Sequence, residues 1–285
     1  MSVSKKDKLF SVFCYGFIFM YVGLAILPFI YIFLTSVSDS GGITAFRNAT
    51  FSLKSYIGLF KYGELGKSLM NSFFMSTIGT FFNMLLTVPC AYALSQKATP
   101  HKNKIITVLM VSIFLFGGTI PSYIWMNKLN LINSYWAVWL TKFISVYNIL
   151  ILKTCFERIP TNIVDAARID GVSEWDLLTK IVVPMSRSAI VIITIFYFSS
   201  WWNDYYISMI YLHDTNLYTL PIRIIQMITN VENSSVYSVY DAAYSNLSVY
   251  GIRAAGIVVS TLPMMLIVPF LQKKYINTMF NKEKK

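Results

Sequence analysis

Six long apolar stretches constrain this chain more than any other feature. A helix needs about 20 mostly apolar residues to cross a bilayer. The stretches that meet this requirement lie at 9–34, 72–94, 105–126, 135–152, 189–212 and 254–271. Only 13% of the residues are charged, against about 25% in an average soluble domain. The sequence therefore predicts an all-α membrane protein with six transmembrane helices in a single domain over 1–285.

The distribution of Lys and Arg predicts the orientation of these spans. With the N-terminus inside, the cytoplasmic segments hold 16 of the 24 basic residues, and the outer segments hold seven. The remaining one is Lys142, within the fourth predicted span. Because basic residues concentrate in cytoplasmic loops, we expect both termini in the cytoplasm of a multi-pass protein. The net charge of +11 is then mainly a topology signal, and a nucleic-acid footprint is the weaker interpretation.

The cytoplasmic loop 153–188 is the one dense polar segment between apolar runs. Pro160 should end the helix that leaves the fourth span. Asn162 is predicted to cap a short helix over 163–169, with Asp165 as a weak capping-box partner. Gly171 is placed to take the left-handed conformation that often ends a helix.

A second helix should follow directly in the same loop. Ser173 and Asp176 form a Ser-x-x-Asp cap pair, and we expect this helix to end before Pro184. The local pattern is helix, sharp turn, helix, and return to the membrane. A short rigid helix with an acidic residue suits a groove of another protein, but an interfacial loop without a partner is an equally good interpretation of these residues alone.

Two charged residues lie within predicted spans. A carboxylate in a span is costly unless it faces protein or water, so Asp204 is a candidate for a polar path. Aromatic and amide neighbours suited to a sugar surround it. These candidate path residues are Trp201, Trp202, Asn203, Asp204 and Tyr205. The alternative is an aromatic belt with a solvated Asp204 at the membrane rim. Lys142 could snorkel, pair with Asp204 or line the path.

Nothing in the sequence indicates catalysis by this chain. Gly63–Ser68 ends like a phosphate-binding loop, but position 61 is lysine where that pattern requires glycine. With only two histidines and three distant cysteines, a metal site is not expected. No nucleophile and base are spaced for catalysis, so we expect no enzyme and no cofactor bound by this chain.

The loop resembles the "EAA" motif of permease subunits of ATP-binding-cassette (ABC) importers. The usual form is E-A-A-x3-G-x9-I-x-L-P. This chain keeps the spacing, with Asp in place of Glu and Val in place of Leu. The matching residues, with Arg168 between them, are Asp165, Ala166, Ala167, Gly171, Ile181, Val183 and Pro184.

Further motifs extend the resemblance along the chain. Asn71-Ser72, Ala91–Ser95 and Trp202–Asp204 are similar to carbohydrate permeases of the maltose type, as are Leu262-Pro263 and Phe270–Lys273. The run Phe116–Pro121, followed by Leu131–Ser134, resembles the oligosaccharide and polysaccharide branch. The closing segment lacks the Gly-rich ending of relatives.

The resemblance implies a type I ABC importer permease in the bacterial cytoplasmic membrane. Asp165, Ala166, Ala167, Arg168, Gly171, Ile181 and Pro184 would then belong to the loop that couples to an ATPase. The implied partners are a second homologous permease subunit, two ATP-binding subunits that hold ATP and Mg²⁺, and an extracytoplasmic sugar-binding protein. The substrate would be a sugar, as an oligosaccharide or polysaccharide fragment.

One alternative function belongs to a different class. A self-sufficient ion-coupled transporter could use Asp204 and Lys142 as coupling charges. Such a protein would transport without partners, and it would leave the spacing from Asp165 to Pro184 without a purpose.

Overall fold

The computed structural model of this chain describes residues 5–38, 51–62, 65–115, 117–232 and 249–282. These residues are mostly helical, as the sequence predicts, and they contain one isolated β-bridge, between Ser38 and Phe51, but no β-strand. The helices are α1 (Lys5–Ser36), α2 (Lys54–Tyr62), α3 (Leu65–Ser95), α4 (Lys102–Phe114), α5 (Thr119–Lys128), α6 (Tyr135–Thr141), α7 (Val146–Phe156), α8 (Thr161–Ile169), α9 (Glu174–Met185), α10 (Arg187–Trp202), α11 (Tyr206–Tyr211), α12 (Leu220–Glu232) and α13 (Val249–Lys282).

Two of these helices are long and apolar enough to cross a membrane without a break. They are the segment Phe10–Ser36 of α1 and the whole of α3. They correspond to the first two predicted spans. α3 continues through Pro89 without interruption.

Three further candidate spans are bent helix pairs. α4 and α5 meet at 102°, α6 and α7 at 56°, and α9 and α10 at 86°. Counting each pair as one span gives up to five. The predicted spans over 105–126, 135–152 and 189–212 are each interrupted in the structure, and the sequence itself indicates the first interruption, because the Gly117-Gly118 pair should loosen its helix. The third breaks around Gly117-Gly118, where Gly118 has φ of 88°, and the fourth and fifth break at 142–145 and 203–205.

The sixth predicted span, 254–271, falls within α13. Its apolar part, Tyr250–Leu266, is shorter than the two continuous spans, so the count of six stays a prediction.

Several predicted features lie outside the described residues. They are position 116 of the Phe116–Pro121 run, 39–50 and 63–64 of the first outer segment, 233–248 of the last outer segment, and the final residues 283–285.

The chain divides into two compact units, and the single domain over 1–285 stays a prediction. The first unit comprises Met1–Gly66 with Arg223–Met265. In it, the Ser36 hydroxyl lies 2.8 Å from that of Tyr56, which ties the end of α1 to α2. A Cβ at position 251 would meet the Ser55 hydroxyl, so Gly251 lets α13 approach α2 closely.

The second unit comprises Lys67–Ile222 with Leu266–Lys285 and holds two apolar clusters. One, the loop-side core, joins α3, α7 and α10 to the polar loop; its buried residues include Ala91, Leu94, Leu152, Phe156, Ala167, Leu177, Leu178 and Val182. The other, the break-side core, lies beside the interruptions of the fourth and fifth spans; its buried residues include Met75, Ala137, Val138, Trp139, Trp201, Tyr211, Leu212 and Ile222. Each cluster positions one set of candidate functional residues.

Candidate functional site

The turn after α8 has the geometry that Gly171 predicts. Gly171 takes φ of 78°. Its N–H donates to the Arg168 carbonyl at 3.1 Å, and the Val172 N–H donates to the Ala167 carbonyl at 3.1 Å. These two bonds define a Schellman motif, which satisfies the last carbonyls of a helix. The prediction of a left-handed helix end at Gly171 is confirmed.

The start of α8 differs from the prediction. The helix begins at Thr161, its N-cap is Pro160, and no side chain caps it. Asn162 therefore lies inside the first turn, and Asp165 lies beyond it. The predicted Asn162 cap and its capping-box partner are wrong, because Pro160 occupies the N-cap position and the helix begins two residues earlier than predicted.

α9 begins as predicted and ends later than predicted. The Ser173 hydroxyl accepts a hydrogen bond from the Asp176 N–H at 3.1 Å, which confirms this cap. The helix then passes through a π-helical stretch, Leu177–Val182, and includes Pro184 in its last turn. The expected stop before Pro184 is wrong: the wider π turn shifts the hydrogen-bond register, so the residue without an N–H falls at a junction.

Four polar side chains fasten the turn between α8 and α9 to the end of α3. The Arg168 guanidinium donates to the two Glu174 carboxylate oxygens at 2.8 and 3.3 Å. It also donates to the Gln96 side-chain oxygen at 2.7 Å. The Tyr92 hydroxyl donates to Glu174. We call Tyr92, Gln96, Arg168 and Glu174 the loop clamp. The hydrogen bonds from Arg168 and then Tyr92 lower the pKa of Glu174, so the carboxylate is the favoured form.

The outer face of α8 carries exposed residues. Asp165 and Ala166 are exposed, whereas Ala167 is buried in the loop-side core. Ile169 is 86% exposed, which is unusual for a large apolar side chain in a polar loop. Ile181 packs against the loop-side core, and Pro184 is exposed. A rigid helix that presents an acidic residue and an apolar one is suited to docking on a protein surface.

A second set of candidate residues gathers where the fourth and fifth spans break. Asn83, in the middle of α3, donates its amide hydrogens to the carbonyls of Lys142 and Phe143 at 2.7 and 2.8 Å. Its side-chain oxygen accepts from the Trp201 indole N–H at the end of α10. One buried amide therefore satisfies backbone that the break between α6 and α7 leaves without helical partners.

Asp204 and Lys142 join the two breaks through an ion pair. The Lys142 ammonium donates to Asp204 Oδ1 at 2.8 Å, and Ser208 donates its N–H and hydroxyl to Oδ2 at 3.0 and 2.8 Å. The ammonium also lies 5.1 Å from the centre of the Trp201 ring. Of the three possibilities for Lys142, the structure selects the pair with Asp204.

The predicted path residues differ in their access to the surface. Trp201 and Trp202 are each only 2% exposed, and Asp204 is 8% exposed. Asn203 and Tyr205 are exposed beside them. Asn203 uses its amide hydrogens on the Ser199 carbonyl at 2.9 Å. Asp204 is therefore occupied by protein partners, and its exposed neighbours form the accessible surface of this break.

Sequence reasoning missed Asn83, Ser208, Tyr92, Gln96 and Glu174. An asparagine in the middle of an apolar span was a usable signal for Asn83, because such a group needs partners inside the protein. Tyr92, Gln96 and Glu174 carried no comparable signal, since polar residues are ordinary at the end of a span and in a loop.

Among the described residues, no group of three or more His, Cys, Asp or Glu side chains could hold a metal ion. The segment 63–68 that ends like a phosphate loop begins with residues outside the described ranges, and Leu65–Ser68 form the first turn of α3. A helical turn at this point differs from the strand-to-helix loop that holds phosphates.

Gly79 provides the first testable prediction, because it lets α3 contact α10 closely. A Cβ at this position would lie 2.6 Å from the Trp201 ring, and that ring is buried and held by Asn83. Gly79→Ala should destabilise the protein by roughly 1–3 kcal/mol through overpacking, seen as a lower apparent Tm in detergent. Gly66→Ala is the matched control, because no described atom lies within 4 Å of a Cβ there. Equal Tm values for the two variants would contradict the close packing.

Apolar helices joined by a structured polar loop define a helical membrane protein. The comparisons with known proteins name its family. The chain belongs to the binding-protein-dependent transport system inner membrane components, which match residues 57–280. This family consists of permease subunits of ABC transporters and is not enzymatic, and an EAA loop with a coupling helix is typical of it.

Several named proteins are similar to this chain over nearly its whole length. The polygalacturonan/rhamnogalacturonan transport system permease protein YtcP of Bacillus subtilis (strain 168) is 31% identical over 274 residues, covering 95% of this chain and 96% of that protein. Protein LplC of the same organism is 28% identical over 286 residues, covering 98% and 96%. The diacetylchitobiose uptake system permease protein NgcG of Streptomyces coelicolor is 23% identical over 283 residues, covering 96% and 88%.

A solved structure shares the fold. The chain matches a crystal structure of a bacterial ABC transporter involved in the import of the acidic polysaccharide alginate, with a TM-score of 0.86 and 23% identity, over 96% of this chain and 99% of that chain. The type I ABC importer permease fold is thereby confirmed. The ion-coupled alternative receives no support from these comparisons.

Proposed function

We propose that this chain is the transmembrane permease subunit of an ATP-driven importer that takes up a sugar as an oligosaccharide or polysaccharide fragment. The names of the similar permeases support the substrate class, because they refer to polygalacturonan, rhamnogalacturonan and diacetylchitobiose. The observation that carries the proposal is α8 itself. It is exposed along Asp165 and Ile169, is ended by the Gly171 turn, and is fastened to α3.

α8 would act as the coupling helix that an ATPase subunit holds. ATP and Mg²⁺ would bind to two partner ATPase subunits, and this chain would hold neither. Closure of the ATPase pair would displace α8, and the loop-side core would pass that displacement to α3, α7 and α10. Alternating access to the path would follow from the movement of these helices.

The remaining partners and the orientation belong to the same proposal. A second homologous permease subunit would complete the path, and an extracytoplasmic sugar-binding protein would deliver the substrate. The excess of Lys and Arg in the segments next to α8 supports a cytoplasmic position for the loop, with both termini in the cytoplasm of a bacterial cell.

The break at 203–205 is the proposed wall of the substrate path. Asn203 and Tyr205 would contact the sugar, because they are exposed and combine an amide with an aromatic ring. Sugars offer hydroxyl groups to the first and apolar C–H faces to the second. Trp201, Trp202 and Asp204 would shape this wall from behind, since they are buried.

Reconstitution in liposomes tests the proposal. The isolated chain should neither hydrolyse ATP nor take up sugar, whereas the chain assembled with a second permease, an ATPase and a sugar-binding protein should take up oligosaccharide when ATP is supplied. Oligogalacturonides and diacetylchitobiose are suitable probes, because similar permeases are named for these sugars. Ion-driven uptake by the isolated chain would overturn the proposal in favour of the ion-coupled transporter.

A further inference from the structure

Arg168 faces its own chain rather than the exposed side of α8. Its guanidinium uses both Nε and Nη2 to reach Glu174 and Gln96 at 2.7 to 3.3 Å. The exposed fraction is 34% for the Arg168 side chain and 59% for that of Glu174. The same helix exposes Asp165, Ala166 and Ile169. The coupling motif therefore has two faces, and its one arginine belongs to the inward one.

The partners of Arg168 come from two other elements. Glu174 is the first residue of α9, and it receives Arg168 from one side and the Tyr92 hydroxyl from the other. Tyr92 lies in the last turn of α3, and Gln96 directly follows that helix. The guanidinium thus closes a ring of contacts between the end of α8, the start of α9 and the end of the second span.

Apolar contacts also hold the end of α8 and the start of α9 against α3. Ala167 packs in the loop-side core together with Leu94 of α3 and Leu177 of α9. Leu177 is fully buried, so the turn cannot slide along α3 without exposing it. The hydrogen bonds of the loop clamp and these apolar contacts together fix the end of α3, the end of α8 and the start of α9 relative to one another.

The chemistry of the contacts suits a rigid joint. An isolated exposed ion pair is weak, but a planar guanidinium that contacts both oxygens of a carboxylate is stronger and directional. Here the carboxylate and the guanidinium each hold a second partner, Tyr92 and Gln96 respectively. The low pKa of Glu174 agrees with this arrangement, since the ionised form accepts from both donors.

We infer that the loop clamp is a mechanical link that makes α8 and the end of α3 move as one body, with Arg168 as a positioning residue that does not contact the ATPase. This inference rests on the proposed function, since it concerns how a displacement of α8 reaches the spans. It assigns a part in coupling to Tyr92 and Gln96, which lie outside the EAA segment, and to Glu174, whose position that motif leaves unspecified.

A charge exchange tests the link. Arg168→Glu should leave co-purification of the ATPase within about twofold of wild type but lower sugar uptake per ATP hydrolysed by about tenfold, which corresponds to a coupling free energy within the usual range. Combining it with Glu174→Arg should restore most of the uptake, because Gln96 can donate and Tyr92 can accept when the charges are exchanged. Asp165→Lys is the comparison variant, and it should instead lose co-purification of the ATPase.

A distance measurement reports on the link without any partner. Spin labels at Lys97→Cys and Asp165→Cys, in a background with Cys14, Cys90 and Cys155 replaced, should give a narrow distance distribution. Arg168→Glu should broaden this distribution, and the exchanged pair should narrow it again. A protein that fails to fold would be recognised by its size-exclusion profile.

The outcomes separate the link from the proposed function. If Arg168→Glu loses the ATPase as Asp165→Lys does, and the exchanged pair does not recover it, Arg168 is a partner contact and the inference is wrong. An unchanged distance distribution in Arg168→Glu would also overturn it. If wild-type chain binds no ATPase at all, the proposed function fails, while the distance measurement still tests whether the clamp holds α8.

Discussion

Replacing Gly171 by Val should leave a permease that reaches the membrane but does not couple ATP hydrolysis to uptake. Gly171 takes φ of 78°, and its N–H closes the last turn of α8. No described atom lies within 4 Å of a Cβ at this position, so the penalty comes from the backbone and not from a clash. A residue with a β-carbon pays about 1–2 kcal/mol in this conformation, and a β-branched one is disfavoured further.

The consequence of this strain is a misdirected α9. The chain would relieve the strain by leaving the left-handed region, which would break the Schellman bonds and move Glu174 away from Arg168. Substrate-stimulated ATP hydrolysis of the assembled complex should then fall by about tenfold or more. The measurement is stimulated hydrolysis, together with the amount of ATPase that co-purifies.

Gly171→Asn is the matched control for this experiment. Asparagine tolerates the left-handed conformation better than other residues with a β-carbon, so this variant should keep most of the stimulated hydrolysis. Wild-type hydrolysis and co-purification in Gly171→Val would show that the turn after α8 does not need its observed conformation.

The Lys142–Asp204 pair carries the second large expected effect, on stability. Lys142→Met leaves the Asp204 carboxylate, which is 8% exposed, with Ser208 as its remaining donor. Breaking a buried pair from one side costs about 3–5 kcal/mol. Because 29% of the Lys142 side chain is exposed, a smaller loss of roughly 2–3 kcal/mol is expected.

Removing both charges should recover most of that loss. In the double variant Lys142→Met with Asp204→Asn, the amide oxygen still accepts from Ser208 and no unpaired charge remains. Replacement of a complete buried pair is often nearly neutral. The apparent Tm in detergent for wild type, the two single variants and the double variant gives the coupling between the positions. A double variant no more stable than Lys142→Met would show that the pair does not join the two helix breaks.

The two large effects fall at the two junctions of the second unit. One junction sets the direction of the exposed loop, and the other holds the interrupted spans together. Loss of the first should show mainly as lost coupling, whereas loss of the second should show mainly as lower stability. The assays therefore distinguish a coupling fault from a folding fault.

The sequence predicted the polar loop well because its signals are local. A glycine at the end of a short helix and a Ser-x-x-Asp pair each act within a few residues, and Gly171 and Ser173 behave as expected. The errors in the loop were at Asn162 and Pro184. Both errors arose from a neighbouring backbone feature. Pro160 takes the N-cap position, which places Asn162 inside the helix. The π-helical turn extends the second helix, which places Pro184 in its last turn.

By itself the sequence determined that this is an apolar helical membrane protein with a structured polar loop, because hydropathy and spacing are properties of the chain. Only the tertiary structure decided where the fourth and fifth spans break. A helix interrupted within an apolar environment needs outside partners for its free carbonyls. Those partners are supplied from a distant part of the chain, by Asn83 for Lys142 and Phe143. The burial of Asp204 follows from the same meeting of segments, since its partner Lys142 lies 62 residues away and in a different span.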